Sequence, residues 1–193
     1  MAEQRIVLVD SDAVSRKNLK SMLTKLGYWV VGETGDGLNA LKMVRTRQPE
    51  LVILDSAIVG MDGFEVAKII HEDKLAPVVV LTAAYTQAMV ERAKEARISA
   101  LLTKPVDEAG ILPAIELALA TYGEVVQLEG KLKELKELLE TRKLLEKAKG
   151  IMMETMGLSE AEAFRRMQKQ SMNKRISMRQ VAEAVILAQN LKE

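Results

Sequence analysis

The sequence predicts an α/β domain on a five-stranded parallel sheet, then a long helix and a small all-helical unit. Three observations predict it. Short apolar, β-branched runs alternate with helix-period segments five times within residues 5–105. Beyond Asp107 the strand pattern stops and apolar residues keep helical spacing. Charge divides along the same line: residues 1–120 hold 14 Lys/Arg against 16 Asp/Glu, whereas residues 141–180 hold 10 against 4.

The elements follow in order. RIVLV (5–9) reads as a buried strand, and AVSRKNLKSMLTKLG (13–27) as a helix ended by Gly27. WVVGE (29–33) is the second strand, and GLNALKMVRTR is a helix stopped before Pro49. LVILD (51–55) precedes the helix GFEVAKIIHED, PVVVLT (77–82) the helix AMVERAKEA, and SALLT (99–103) ends at Lys104-Pro105. Strand–helix alternation of this kind gives a doubly wound, flavodoxin-like sheet with right-handed crossovers.

From Asp107 a long helix is expected, with Pro113 as an awkward early residue and Gly123 and Gly130 weakening it. Val125, Leu128, Leu132, Leu135 and Leu139 follow 3-4-3-4 spacing, a short coiled-coil seam suited to a homodimer. Gly157 ends the helix. Ser159 and Glu162 have capping-box spacing for a second helix to about Lys169, and Ser177 caps a third from Met178 to Leu191. Met172-Asn173-Lys174-Arg175 then reads as a loop in a connection of about seven residues. The expected three-helix core is Ile151, Leu158, Met167, Val181, Val185 and Ile186, with Phe164 inside it. The divisions expected are 1–120, 121–140 and 141–193.

Composition bounds the function classes. With 193 residues, 48% of them hydrophobic, the chain has material for a core. There are no cysteines, which removes disulfides and thiolate metal sites and favours a cytoplasmic home. The N-terminus lacks a secretory pattern, and no apolar run approaches the ~20 residues of a membrane span.

Ligands of open α/β sheets sit at the carboxyl ends of the strands. Those ends hold Asp10, Asp55, Thr82 and Lys104. Two carboxylates suit Mg²⁺, a carboxylate can take a phosphoryl group as an acyl phosphate, and lysine neutralises transferring oxygens. Two families compete. Asp10-Ser11-Asp12-Ala13-Val14 resembles the nucleophile motif of haloacid-dehalogenase-type phosphatases, with Asp10 and Asp12 as its acids, but Gly35-Asp36-Gly37 comes too early for that family's metal motif.

LVILDSAIVGMDG, VVVLTA and LLTKP together resemble the receiver domain of two-component response regulators over residues 4–120. The resemblance implies a five-stranded sheet of order 2-1-3-4-5, phosphorylation of Asp55 by a partner histidine kinase, a switch hydroxyl at Thr82, and the family's lysine at Lys104 before Pro105. It also implies Mg²⁺ on Asp10, Asp55 and the carbonyl of Ala57. Three positions depart from the pattern. Ser11 replaces a second acid, so metal binding is expected to weaken unless Asp12, whose simpler role is a helix cap, swings in. Val59 replaces a common proline, and Leu101 replaces the aromatic that rotates on activation. A receiver gated by a partner protein, without phosphate, is the competing reading.

Residues 140–185 resemble the ANTAR domain, the RNA-binding output of transcription antiterminators. The marks are Ala148-Lys149-Gly150, Ala163-Phe164, Ser171-Met172 and Val181-Ala182. The basic set Lys143, Lys147, Lys149, Lys174, Arg175 and Arg179, with Gly150 and Asn173, is the expected RNA surface. The resemblance implies a dimer that holds two hairpin loops of a nascent leader RNA and so prevents termination. DNA binding by a helix-turn-helix is the rival output. The seven-residue connection and the apolar third helix argue against it.

Overall fold

The structure, a computed structural model, describes residues 4–190. The chain divides into two compact units at residues 126 and 127. In the first unit five parallel strands, β1 (Arg5–Val9), β2 (Trp29–Thr34), β3 (Leu51–Asp55), β4 (Val78–Thr82) and β5 (Ala100–Thr103), lie in the order β2-β1-β3-β4-β5. The helices between them are α1 (Ala13–Lys25), α2 (Gly37–Arg47), α3 (Gly63–Glu72) and α4 (Gln87–Glu95). This is the expected fold, with strand and helix ends moved by one or two residues.

Alternation along each strand explains the two cores, because successive side chains leave opposite faces of a sheet. Val7, Val9, Val52, Leu54, Val78 and Val80 face α2, α3 and α4, where Val44, Phe64, Val66, Ile70 and Ala93 meet them. Ile6, Leu8, Leu51, Ile53, Val79 and Leu81 face the other way, against Leu19 and Leu23 of α1 and Ile111, Ile115 and Ala118. Both faces are covered, as a parallel sheet requires, so the central strands read as unbroken apolar runs.

Helix α5 runs from Glu108 to Met156. It tolerates Pro113, which costs one hydrogen bond near the first turns. By length and composition alone it is apolar enough to cross a membrane, with mean hydropathy 1.4 in its most apolar stretch. Ile111, Ile115 and Ala118 of that region are buried against the sheet. Gly157 ends the helix at φ +66, a backbone conformation that glycine adopts without strain.

In the second unit α5 is joined by α6 (Glu160–Lys174) and α7 (Met178–Asn190). The Ser159–Glu162 capping box is present in both directions. Four expectations need correction here. Helix α6 continues through Met172, Asn173 and Lys174, so these residues are not a loop, and Arg175 closes the helix at φ 53. The connection to α7 is therefore three residues, 175–177, and its length no longer argues against a helix-turn-helix. Phe164 is not in the core but 44% exposed. The centre is filled by Ala148, Met152, Ala163, Met167, Val181 and Ala182, with Leu158, Val185 and Ile186 packed around them. Ala163 and Met167, four residues apart, share the inward face of α6, and Phe164 lies about 100° round the helix from Ala163. Ile151 is half-buried, outside that cluster. The expected end of α7 at Leu191 lies outside the described residues.

Candidate functional site

Asp10 follows β1, Asp55 and Thr82 are the last residues of β3 and β4, and Lys104 follows β5. The sheet thus brings all four predicted residues to one edge. Asp10 is 0% and Asp55 8% exposed, and burying two carboxylates is costly unless they are paired. Lys104 supplies the pairing: its Nζ lies 2.7 Å from Asp10 Oδ2 and also bonds Asp55 Oδ2. Burial acts to lower the Lys104 pKa, but the hydrogen bonds to Asp10 and Asp55 outweigh it and leave the ammonium above its ordinary range.

The carboxylates are held in place by nearby donors. Ser15 Oγ donates to Asp10 Oδ2 at 2.7 Å and the Asp12 N–H to Asp10 Oδ1 at 2.9 Å. The Ala57 N–H donates to Asp55 Oδ1 at 2.8 Å. Gly63, at the start of α3, passes so close that a Cβ there would sit 2.5 Å from the Asp55 carbonyl, so only glycine lets the helix begin there. Asp62 caps α3 and pairs with Arg92 of α4, whose guanidinium lies 4.7 Å from the Phe64 ring centroid.

Asp10, Asp55 and the Ala57 carbonyl are hard oxygen donors of the type Mg²⁺ takes alongside water. They fit that ion, but with two acids only. Among the described residues no group of three or more His, Cys, Asp or Glu forms a metal cluster. Asp12 does not supply the third. Its Oδ1 accepts the N–H groups of Val14 at 2.7 Å and Ser15 at 3.2 Å, which caps α1. The bond from Ser15, then that from Val14, hold its carboxyl below the usual range. Ser11 Oγ donates to the Ala57 carbonyl at 2.9 Å.

Thr82 is buried and donates to the Ala84 carbonyl at 3.0 Å, within its own loop. Sequence reasoning missed the next residue. The Tyr85 hydroxyl donates to the Leu101 carbonyl at 2.8 Å, so an aromatic touches the position where Leu101 lacks one. Its only sequence signal is a tyrosine three residues past Thr82.

The expected RNA residues fall into two groups. Lys149 is buried and bonded to Glu160 at 2.6 Å and Glu146 at 2.9 Å, tying α5 to α6. These bonds raise its pKa, that to Glu160 most. Lys143 pairs with Glu140 at 2.9 Å and Arg179 with Glu183 at 2.8 Å. Lys147, Lys174 and Arg175 are exposed, and among the described residues no ion pair engages them. Asn173 is exposed beside them, and a Cβ at Gly150 would meet nothing within 4 Å, so its backbone is approachable. The sequence reading omitted Arg165, Arg166 and Lys169, which stand exposed on α6 next to Phe164. Their helical spacing with Phe164 was the available signal.

Comparison with known proteins agrees with this arrangement. The response regulator receiver domain family model matches residues 6–116, and the ANTAR domain model residues 133–186. The chain is 40% identical over 183 residues to the transcriptional regulatory protein PdtaR of Mycobacterium tuberculosis, covering 95% of this chain and 89% of that one. It is 32% identical over 113 residues to the chemotaxis protein CheY of Thermotoga maritima, covering 58% of this chain and 94% of that one. Among solved structures, the signal receiver domain of the response regulator NarL from Mycobacterium tuberculosis superposes with TM-score 0.57 at 26% identity, covering 61% of this chain and 97% of that one. A paired-carboxylate site with its lysine on a 2-1-3-4-5 sheet, joined to a three-helix unit that matches ANTAR, places the chain in the response regulators with a receiver and an ANTAR domain, a regulatory family and not an enzymatic one.

Proposed function

We propose that Asp55 accepts a phosphoryl group from a partner histidine kinase, and that this state promotes binding of hairpin loops in nascent leader RNA, so that a terminator does not form. The observation that carries this reading is Lys104 bridging Asp10 and Asp55. In the transfer, the donor's P–N bond breaks as an Asp55 oxygen bonds to phosphorus. Lys104 lies where it neutralises the incoming oxygens, and the Thr82 hydroxyl is one bond rotation from exchanging the Ala84 carbonyl for a phosphoryl oxygen. Mg²⁺, held by Asp10, Asp55 and the Ala57 carbonyl, supplies further charge neutralisation when bound.

The active form is a homodimer through α5, where Val125, Leu128, Leu132, Leu135 and Leu139 are all exposed large apolar residues. Two linked output units gain avidity for two RNA loops without any new contact. The RNA surface comprises Lys147, Gly150, Asn173, Lys174 and Arg175, with Lys143 and Arg179 available by exchange of surface ion pairs, which are weak. Lys149 contributes by holding α6 on α5. The protein works in the cytoplasm.

A second reading is favoured by the Ser11–Ala57 bond: with the third ligand position neutral, the receiver responds to a partner protein and not to phosphate. Intact-mass spectrometry after incubation with Mg²⁺ and a small-molecule phosphoryl donor separates the two. One added phosphoryl group, absent from Asp55→Ala, supports the first. No added mass supports the second. A hairpin RNA titration at matched salt against duplex DNA tests the output.

A further inference from the structure

Helix α1 carries four cationic residues, Arg16, Lys17, Lys20 and Lys25, and no acid. Outside it, residues 1–120 hold 10 Lys/Arg against 16 Asp/Glu, so positive charge in the receiver is concentrated on this helix. The spacing places Arg16, Lys17, Lys20, Ser21, Thr24 and Lys25 on one side, away from the buried Leu19 and Leu23. With Glu33 of β2 they line a cleft of about 630 Å³. Lys20 lies 3.0 Å from Glu33. Lys17 and Lys25 are exposed, and among the described residues no ion pair engages them.

Folding does not account for this charge. Like charges three or four positions apart on a helix repel, and Lys17 with Lys20 and Arg16 with Lys20 are such pairs. Lys25 alone lies in the last turn, where a cation complements the helix dipole. The walls of the cleft select the class of partner. Protein–protein interfaces are anchored by buried aromatic or aliphatic side chains and are depleted in lysine. Apart from Ala13, this cleft is lined by polar and charged residues only. Nucleic-acid interfaces are polar and strongly basic, and Lys, Arg, Ser and Thr are the side chains that hold backbone phosphates.

We propose that the basic face of α1 is a second RNA contact, which holds the phosphodiester backbone of single-stranded RNA without reading its sequence. This rests on the RNA-binding reading given above and extends it from the output unit to the receiver. Base recognition stays with the output unit, because phosphate contacts position a strand and do not specify it.

The test titrates full-length protein with fluorescent oligouridylate, and separately with hairpin RNA, over a salt series. Lys17→Gln with Lys25→Gln removes the two unpaired cations. Arg16 and Lys20 stay, since they also bond the Asp10 carbonyl and Glu33. Lys42→Gln with Arg47→Gln removes the same charge from exposed positions of α2. The expected result is weaker oligouridylate binding by the α1 variant alone, its slope of log affinity against log salt reduced by ~0.7 for each lost contact. An unchanged slope, or an equal fall in the α2 variant, would overturn the α1 contact. So would a wild type that binds hairpin RNA but not oligouridylate. A wild type that binds neither would overturn the RNA reading as well. Polyglutamate bound as tightly as oligouridylate, and lost in the same α1 variant, would assign the cleft to acidic protein surfaces and overturn the RNA contact. Circular dichroism of both variants confirms that they are folded.

Discussion

The Ser11 hydroxyl donates to the Ala57 carbonyl at 2.9 Å, linking the loop after Asp10 to the loop after Asp55. The two residues belong to loops 46 positions apart in sequence. In this arrangement a neutral side chain engages the carbonyl that the metal would need. Ser11→Asp removes that bond and adds a carboxylate beside Asp10 and Asp55. It should strengthen Mg²⁺ binding about tenfold, equivalent to ~1.4 kcal/mol, as measured by calorimetric titration. An unchanged Kd would mean that Ser11 does not limit metal binding.

Lys104→Met leaves Asp10 and Asp55 buried without a cation. Breaking such a pair costs ~3–5 kcal/mol when fully buried, and about 2–4 kcal/mol is expected here because the Lys104 side chain is 23% exposed. Urea unfolding measures it, and added Mg²⁺ should recover part of the loss. The ammonium also ties stability to alkaline pH. Its folded pKa is raised above 10.5, so its contribution is whole below that value and disappears as pH rises through the folded pKa. The wild-type urea midpoint should therefore fall more steeply than that of Lys104→Met as pH climbs through this range.

Tyr85→Phe removes the hydroxyl bonded to the Leu101 carbonyl and little else, since Tyr85 is 54% exposed. Stability should change by less than ~1 kcal/mol. If this bond couples the loop after Thr82 to β5, the variant should accept phosphate normally yet respond less in RNA affinity. Parallel phosphorylation and RNA titrations read the two effects separately.

Phe164→Ala should leave the fold almost intact, because the ring is 44% exposed and Ala163, not Phe164, lies in the core. Where an aromatic ring stacks on an RNA base, its loss costs ~1–3 kcal/mol of binding. A binding loss of that size with an unchanged melting temperature would assign Phe164 to the interface. A large fall in melting temperature would return it to the core.

Lys174 and Arg175 have no ion pair among the described residues, whereas Lys149 has two acidic partners. Lys174→Ala with Arg175→Ala should weaken binding to every RNA tested and reduce the salt slope by about 1–2. Lys149→Met should instead lower the melting temperature and leave the salt slope unchanged. Fluorescence titrations over a salt series distinguish the two.

The amino-acid sequence by itself determined the five strands, their alternation with helices and the four residues at the sheet's edge. Strand and helix periods differ, Gly27, Pro49 and Pro105 mark boundaries, each of Asp10, Asp55 and Thr82 directly ends an apolar run, and Lys104 follows one after Thr103. It also determined the Asp12 and Ser159 caps, since capping is a local hydrogen bond between near neighbours. Tertiary structure decided what depends on residues far apart in the chain. The Ser11–Ala57 bond needs two loops brought together by the pairing of β1 with β3. Tyr85 reaches Leu101 only because β4 and β5 pair. In the output unit, adjacent residues of α6 meet opposite fates. Ala163 is enclosed and Phe164 open, because packing against α5 and α7 fixes which face of α6 turns inward, and adjacent residues of a helix point about 100° apart.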